Sequence, residues 1–330
     1  MRPVATTYQR GVFILETPKG SGKIKDPIAA CKTLIRDVGK NKLVYLMLLP
    51  VLAFYIIFHY IPMGGLVIAF QDFVPHRGIS GSSWVGFRYF IEFFESMFFF
   101  RLMRNTFLLN VYDILIGFPL PIILALMLNE LTSKRFKGSI QTALYIPHFV
   151  SLIVLCGIIL DFTTTEGVIN DILVLFGFER SNLMLNPGLF RPIFITSNLW
   201  QFAGWSSIIY VAALAGVNQE LYDAAEVDGC GRFGRIRHVT LPGIQPIILI
   251  MLILRLGNIM TVGFEKVILL YNPLTYETAD VIASYVYRRG ILEANFSFAT
   301  AVGLFNSAMN FAFLLFANWT SRRATNESLW

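Results

Sequence analysis

Apolar positions in this chain gather into long, nearly unbroken stretches rather than alternating or recurring on one face. Six of them, near 43-61, 105-129, 140-160, 193-217, 243-262 and 298-318, approach or exceed the ~20 residues a helix needs to cross a ~30 Å hydrocarbon layer. The first reads LVYLMLLPVLAFYIIFHYI and the sixth FATAVGLFNSAMNFAFLLFAN. Pro50, Pro119, Pro121 and Gly257 fall inside such stretches, where membrane helices tolerate them because neighbouring helices re-satisfy the freed backbone groups. A membrane barrel would instead show ~10-residue alternating segments. The pattern predicts an all-α polytopic membrane protein with six transmembrane helices.

Composition sharpens this. Of 330 residues 55% are hydrophobic and 15% charged, whereas a soluble domain carries about a quarter charged residues. One water-soluble core cannot hide that much apolar surface.

Charge then orients the spans. Lys and Arg near short loops favour the cytoplasmic side. With both termini inside, 17 of the 27 fall in cytoplasmic segments and nine outside, with Arg255 inside a span. The expected layout is a basic cytoplasmic segment 1-42, a membrane domain 43-320 with a cytoplasmic loop at 218-242, and a short tail 321-330. The +6 net charge thus reads as topology, with a contribution at the lipid surface, and not as a nucleic-acid footprint. The densest basic run, from Lys19 to Lys42, reads as a tail preceding an uncleaved first span, since no small-x-small site follows that span. Cys31, Cys156 and Cys230 suggest neither disulfides nor metal ligation. His59, His76, His148 and His238 lack ligand spacing and read as structural, so no metal site is expected.

Two motifs resemble nucleotide sites and fail on context. Gly20-Ser21-Gly22-Lys23 lacks the earlier Gly and the following Ser or Thr of a phosphate loop, with Thr17 and Ile24 in those places. Gly229-Cys230-Gly231-Arg232-Phe233-Gly234 spells G-x-G-x-x-G but lies between membrane spans, not between a strand and a helix. Neither a catalytic constellation nor a paired carboxylate motif is evident, and ATP hydrolysis by this chain is not expected.

The 218-242 loop is more informative. Leu221 to Gly229 reads as a short helix carrying two small residues, Ala224 and Ala225, and stopping at Gly229, since Gly suits a left-handed C-terminal cap. The chain restarts across a basic stretch, and Pro242 suits the first turn of the next span. A short capped helix on the cytoplasmic face is shaped for docking.

This loop resembles the EAA signature of permease subunits in binding-protein-dependent ABC importers, E-A-A-x3-G-x9-I-x-L-P. Asp223, Ala224, Ala225, Gly229, Val239, Leu241 and Pro242 keep every spacing. Asp223 stands for the usual Glu, Val239 for Ile, and Cys230 where sugar permeases commonly have Ala. Further stretches, among them Pro62 to Phe70, Trp84 to Phe87, Arg104 to Thr106, Tyr145 to Phe149 and Leu270 to Pro273, are similar to the carbohydrate-uptake branch, in particular its importers of alginate, aldouronate or rhamnogalacturonan fragments. The resemblance implies a type I importer permease fold in a bacterial cytoplasmic (inner) membrane. It implies a second permease subunit, two ATPase subunits that bind ATP and Mg, and an extracytoplasmic solute-binding protein. Asp223, Ala224, Ala225, Asp228, Gly229, Val239, Leu241 and Pro242 would then couple the chain to an ATPase.

Polar residues stacked on predicted helices are expected to line the solute path. Asn110, Asp113 and Gly117 share one face, as do Asn198, Gln201 and Trp205, and Gly303, Asn306 and Asn310. Arg255 and Asn258 share another, which reaches Glu265 if the fifth helix continues. Charged residues in a span rarely face lipid, and Asp113 and Arg255 could pair. A hydrophilic cavity with Trp200 or Trp205 as an aromatic wall suits sugar hydroxyls, while interhelical hydrogen bonding is the competing account of the same residues. The outer segments 62-103 and 263-297, the latter with a short helix around Asp280 to Arg288, are expected to meet the binding protein. A permease for peptides or another polar solute, and an ion-coupled secondary transporter, are the alternatives; the latter has no need of the docking loop.

Overall fold

The computed structural model describes residues 40–325. The basic segment 1-42 except its last three residues, the motif at Gly20 to Lys23, Cys31 and the end of the 321-330 tail lie outside the described residues. The chain divides into one unit ending at Gly64 and a second running from Gly65. In the first, the helix Lys42–Tyr55 contains Pro50 and passes through a π turn, Ile56–Tyr60, into Ile61–Met63.

Among the described residues, five helices are long and apolar enough to cross a membrane: Lys42–Phe70, Phe99–Asn129, Leu152–Leu175, Arg232–Leu256 and Phe296–Arg323. The bent pair Pro187–Ala215 and Gln219–Val227, turning by 73°, supplies a sixth. Side chains such as Leu115, Met127, Ile153, Phe311 and Phe316 are well exposed. A layer of lipid, which needs no polar cover, accounts for that surface.

Three span boundaries differ from the sequence expectation. The stretch 140-160 is not one helix: Lys134–Tyr145 ends at a tight turn, Ile146–Phe149, and a new helix begins at Leu152. Pro147 lacks the N–H that would continue the helix, and Val150 and Ser151 are extended before the next helix begins, while apolar neighbours on both sides mask the break. The membrane-length segment is therefore Leu152–Leu175, itself interrupted before the helix Val168–Leu175. Pro242 does not open the fifth span either. The helix starts at Arg232, passes through a π turn, Ile236–Thr240, and continues as Leu241–Leu256. The sixth helix, Phe296–Thr325, runs into the segment expected to be a tail.

Three buried clusters hold the second unit together. The first joins Tyr89, Phe93 and Leu102 to Tyr285, Phe298 and Val302. The second joins Leu109 and Cys156 to Phe190, Phe194, Val267 and Leu270. The third joins Ala125 to Tyr210, Leu214 and Ile244. A two-residue antiparallel ladder, Gln71–Asp72 against Ser83–Trp84, is the one departure from all-helical structure among the described residues. The short helix expected near Asp280 is present as Ile282–Tyr287, extended by a π turn through Leu292.

At the end carrying segments 71-103 and 263-297, Asp280 is fully buried and takes bonds from Arg288 Nη1 (2.9 Å), Arg288 Nη2 (2.7 Å), Arg101 Nη2 (3.3 Å) and Ser284 Oγ (2.7 Å). Burial alone would lower the Arg288 pKa, but Asp280 and the Tyr271 hydroxyl outweigh it and hold the guanidinium above its usual range. Tyr89 donates to Asp72 at 2.7 Å, and burial together with that carboxylate pushes its hydroxyl up to about 12.

Candidate functional site

A cavity of about 990 Å³ opens between the second, fourth and fifth spans and the short helix Phe264–Leu270. Six of the nine residues expected on the path line it: Asn110, Asp113, Asn198, Trp205, Arg255 and Asn258. Asp113 begins a π turn, Asp113–Gly117, within the second span. The extra residue of such a turn shifts the face presented on either side of it and is frequent at functional sites. Asp113 is buried and forms an ion pair with Arg255, whose side chain is half-exposed to the cavity. The pair resolves what would otherwise be two costly charges at membrane depth.

Asn110 donates to the Thr106 carbonyl at 3.0 Å and Asn258 to the Leu254 carbonyl at 3.0 Å. Each ties its amide to its own helix while facing the cavity. Trp205 also lines the cavity, and its indole stacks on His148, with ring centroids 4.3 Å apart and planes within 5°. The neighbouring Gly204 makes this meeting possible: a Cβ there would lie 2.0 Å from the Leu144 carbonyl oxygen. Only a residue without a side chain lets the fourth span approach the end of helix Lys134–Tyr145 so closely.

Three expected path residues are placed elsewhere. Gln201 is buried away from the cavity lining and donates to the Val150 carbonyl at 3.2 Å. Asn306 lines a separate cavity of about 290 Å³ with Phe264 and Tyr287. Asn310 accepts from the Met260 backbone N–H at 2.8 Å and donates to Thr261 at 2.7 Å, pinning the segment that follows the fifth span. The shared-face argument fails for these two asparagines because their part of the sixth span packs on the 257-264 segment instead. Trp200 is absent from the cavity lining, and Trp205 forms the aromatic wall. The fifth helix ends at Leu256 and does not continue to Glu265, yet the returning chain brings Glu265 to the cavity.

That return also delivers Lys266, which the sequence reading passed over. It is 5% exposed, lines the cavity, donates to Asn198 Oδ1 at 2.6 Å and sits 5.2 Å from the Phe194 ring centroid. Burial pushes its ammonium down to about 8. The available signal was a Glu-Lys pair immediately ahead of the apolar run Val267 to Leu270.

The 218-242 loop holds the short, capped helix that its spacing predicts. Asn218 caps the helix Gln219–Val227 by accepting from Glu220 N–H at 3.1 Å. At the other end Gly229 (φ 75) donates to the Glu226 carbonyl and Cys230 to the Ala225 carbonyl, the paired bonds of a Schellman cap. Ala224, Asp223 and Asp228 are exposed, Ala225 is half-buried, and Gln219 donates to Asp223 at 3.3 Å. Val239 and Leu241 are half-buried, Pro242 is exposed, and Tyr222 donates to Thr240 at 3.1 Å, tying the loop to the fifth span. Arg235 and Glu226 pair at 3.0 Å, and Arg232 reaches Glu130 at 3.4 Å. Gly229 to Gly234 therefore closes one helix and opens another, with no strand before it.

Residues 117–326 match the family model described as the binding-protein-dependent transport system inner membrane component. The polygalacturonan/rhamnogalacturonan transport system permease protein YteP of Bacillus subtilis (strain 168) is 42% identical across 91% of this chain and 94% of its own. Among solved structures, a chain in the crystal structure of a bacterial ABC transporter involved in the import of the acidic polysaccharide alginate is 44% identical. It superposes with a TM-score of 0.81 over 89% of this chain and 99% of its own. A chain of the bacterial alginate ABC transporter in complex with alginate pentasaccharide-bound periplasmic protein is 43% identical, with the same TM-score and coverage.

Proposed function

The chain belongs to the binding-protein-dependent transport system inner membrane component family, and on that premise we propose that it carries an oligosaccharide through its 990 Å³ cavity in an ATP-driven importer. It is a multi-pass permease of the inner membrane, and its transport depends on a solute-binding protein. A second permease subunit would complete the pathway, and two ATPase subunits would bind ATP and Mg. Both termini would lie in the cytoplasm, in keeping with the Lys and Arg distribution. The outer segments 62-103 and 263-297 would receive the binding protein.

One observation carries the reading: the fourth span both lines the cavity, through Asn198 and Trp205, and bends by 73° into the capped helix Gln219–Val227. A partner that seizes Asp223 to Gly229 therefore pulls on the cavity wall itself. Closure of an ATPase pair beneath two such loops would switch the cavity between inward and outward access by rigid-body motion, a two-state element biased by nucleotide. Asparagine amides and the half-exposed Trp205 ring offer what sugar hydroxyls and sugar faces require. The solutes of the relatives, polygalacturonan, rhamnogalacturonan and alginate, support the oligosaccharide class.

Uptake of labelled tetragalacturonate by cells lacking the chain, with and without its restoration, tests this. Restoration should recover uptake, ATP depletion should abolish it, and Gly229→Val should abolish both uptake and ATPase copurification. Uptake driven by a proton gradient in ATP-depleted cells would overturn the coupling. A restored strain that takes up peptides and no sugar would overturn the substrate class.

A further inference from the structure

Lys266 stands out among the cavity residues because it is charged, buried and lacks a carboxylate partner. Asp113 and Arg255 neutralise each other. Glu265 is exposed, and no carboxylate among the described residues lies within 4.0 Å of the Lys266 ammonium, the reach that defines the eight ion pairs found. One ammonium donor goes to Asn198, and the Phe194 ring lies beneath. A neutral sugar would need only hydrogen bonds, which asparagine provides without burying a charge. A buried ammonium left without a counter-ion is costly, and this one borders the cavity.

Resting on the oligosaccharide reading above, we infer that Lys266 is a specificity-determining residue that selects an anionic sugar by pairing with its carboxylate as it crosses the cavity. The sugar carboxylate supplies the missing counter-ion, Asn198 holds the ammonium in place, and Trp205 and Asn258 meet the uncharged parts of the ring.

The test uses the complete complex of this chain with its second permease and ATPase pair. Tetragalacturonate and its fully methyl-esterified form serve as anionic and neutral probes of equal length. Binding is read as a thermal shift of the complex without the binding protein, and uptake is read in proteoliposomes with it. Lys266→Met should weaken tetragalacturonate binding about tenfold or more, the range for losing a hydrogen bond to a charged group, and leave the ester unchanged. Lys266→Arg should restore most of the preference. Equal losses for both probes in Lys266→Met would assign the residue a purely structural role, and no loss for either would remove it from the path; both outcomes overturn the inference. A preference for tetragalacturonate of equal size in the wild-type and Lys266→Met complexes overturns the inference alone, whereas a wild-type complex that binds and takes up neither probe removes the oligosaccharide reading with it.

Discussion

Arg255, in the last turn of the fifth span, pairs with Asp113, the first residue of the π turn in the second span. The contact fixes the register of two helices across the cavity and leaves one face of the guanidinium open to it. Breaking such a pair from one side strands the other charge, and Asp113, the more buried partner, suffers more from the loss. Arg255→Gln should therefore destabilise the chain by about 1–3 kcal/mol and Asp113→Asn by less, since Arg255 is half-exposed and partly solvated. Asp113→Asn combined with Arg255→Gln should be more stable than Arg255→Gln alone. Thermal unfolding of the three variants in detergent gives the coupling; strictly additive losses would show that the pair holds nothing.

Gly229 adopts φ 75 at the end of the helix Gln219–Val227. A β-branched side chain in that left-handed backbone costs on the order of 1–2 kcal/mol, enough to unwind a nine-residue helix. Gly229→Val should abolish copurification with the ATPase while the amount of chain in the membrane stays near wild type. Gly229→Asn, which tolerates the conformation, should retain most of both. Equal copurification by Gly229→Val would sever the link between cap geometry and docking.

Gly204 allows the fourth span to meet Leu144, and there is no space for even a methyl group. Gly204→Ala should force the helices apart, lower the unfolding temperature of the chain by several degrees and separate Trp205 from His148. Trp205 emission, read against a Trp205→Phe control, should shift in Gly204→Ala. An unchanged spectrum with an unchanged unfolding temperature would contradict the close approach.

The parts legible in the sequence were those governed by local rules. The apolar runs, the Gly229 cap and the exposed helix Gln219–Val227 each follow from consecutive residues, and the Asp113–Arg255 pair follows from the cost of isolated charge in a membrane. What stayed hidden depends on where the chain goes after an element ends. Pro147 breaks a helix inside a run that otherwise reads as one continuous apolar span. Asn306 and Asn310 share a helical face with Gly303, but which neighbour that face meets is a tertiary fact. Lys266 reaches the cavity only because the fifth span stops at Gly257, Asn310 pins the next turn, and the chain folds back beside Asn198. No periodicity within one segment encodes that return.

Lys266 also predicts a conflict between stability and selectivity. Burial lowers its folded-state pKa to about 8, below the ~10.4 of the unfolded chain. Between these values the unfolded state binds more protons, so stability rises as pH climbs from 8 towards 10. Below pH 8 both states carry the proton, and the folded state bears the full cost of the buried charge, on the order of 3 kcal/mol at 1.36 kcal/mol per unit. Lys266→Met, similar in length and uncharged, should therefore unfold at a higher temperature than wild type at pH 7, and the difference should shrink as pH rises from 8 to 10. Cys156 interacts electrostatically with Lys266, so both chains carry Cys156→Ser and the difference curve then isolates Lys266. Unfolding temperatures of the two chains in detergent at pH 7, 8, 9 and 10 provide the measurement. A less stable Lys266→Met at pH 7 would mean that the ammonium is held for packing, while a stabilised variant that no longer distinguishes acid from ester is what a charge retained for its ligand requires.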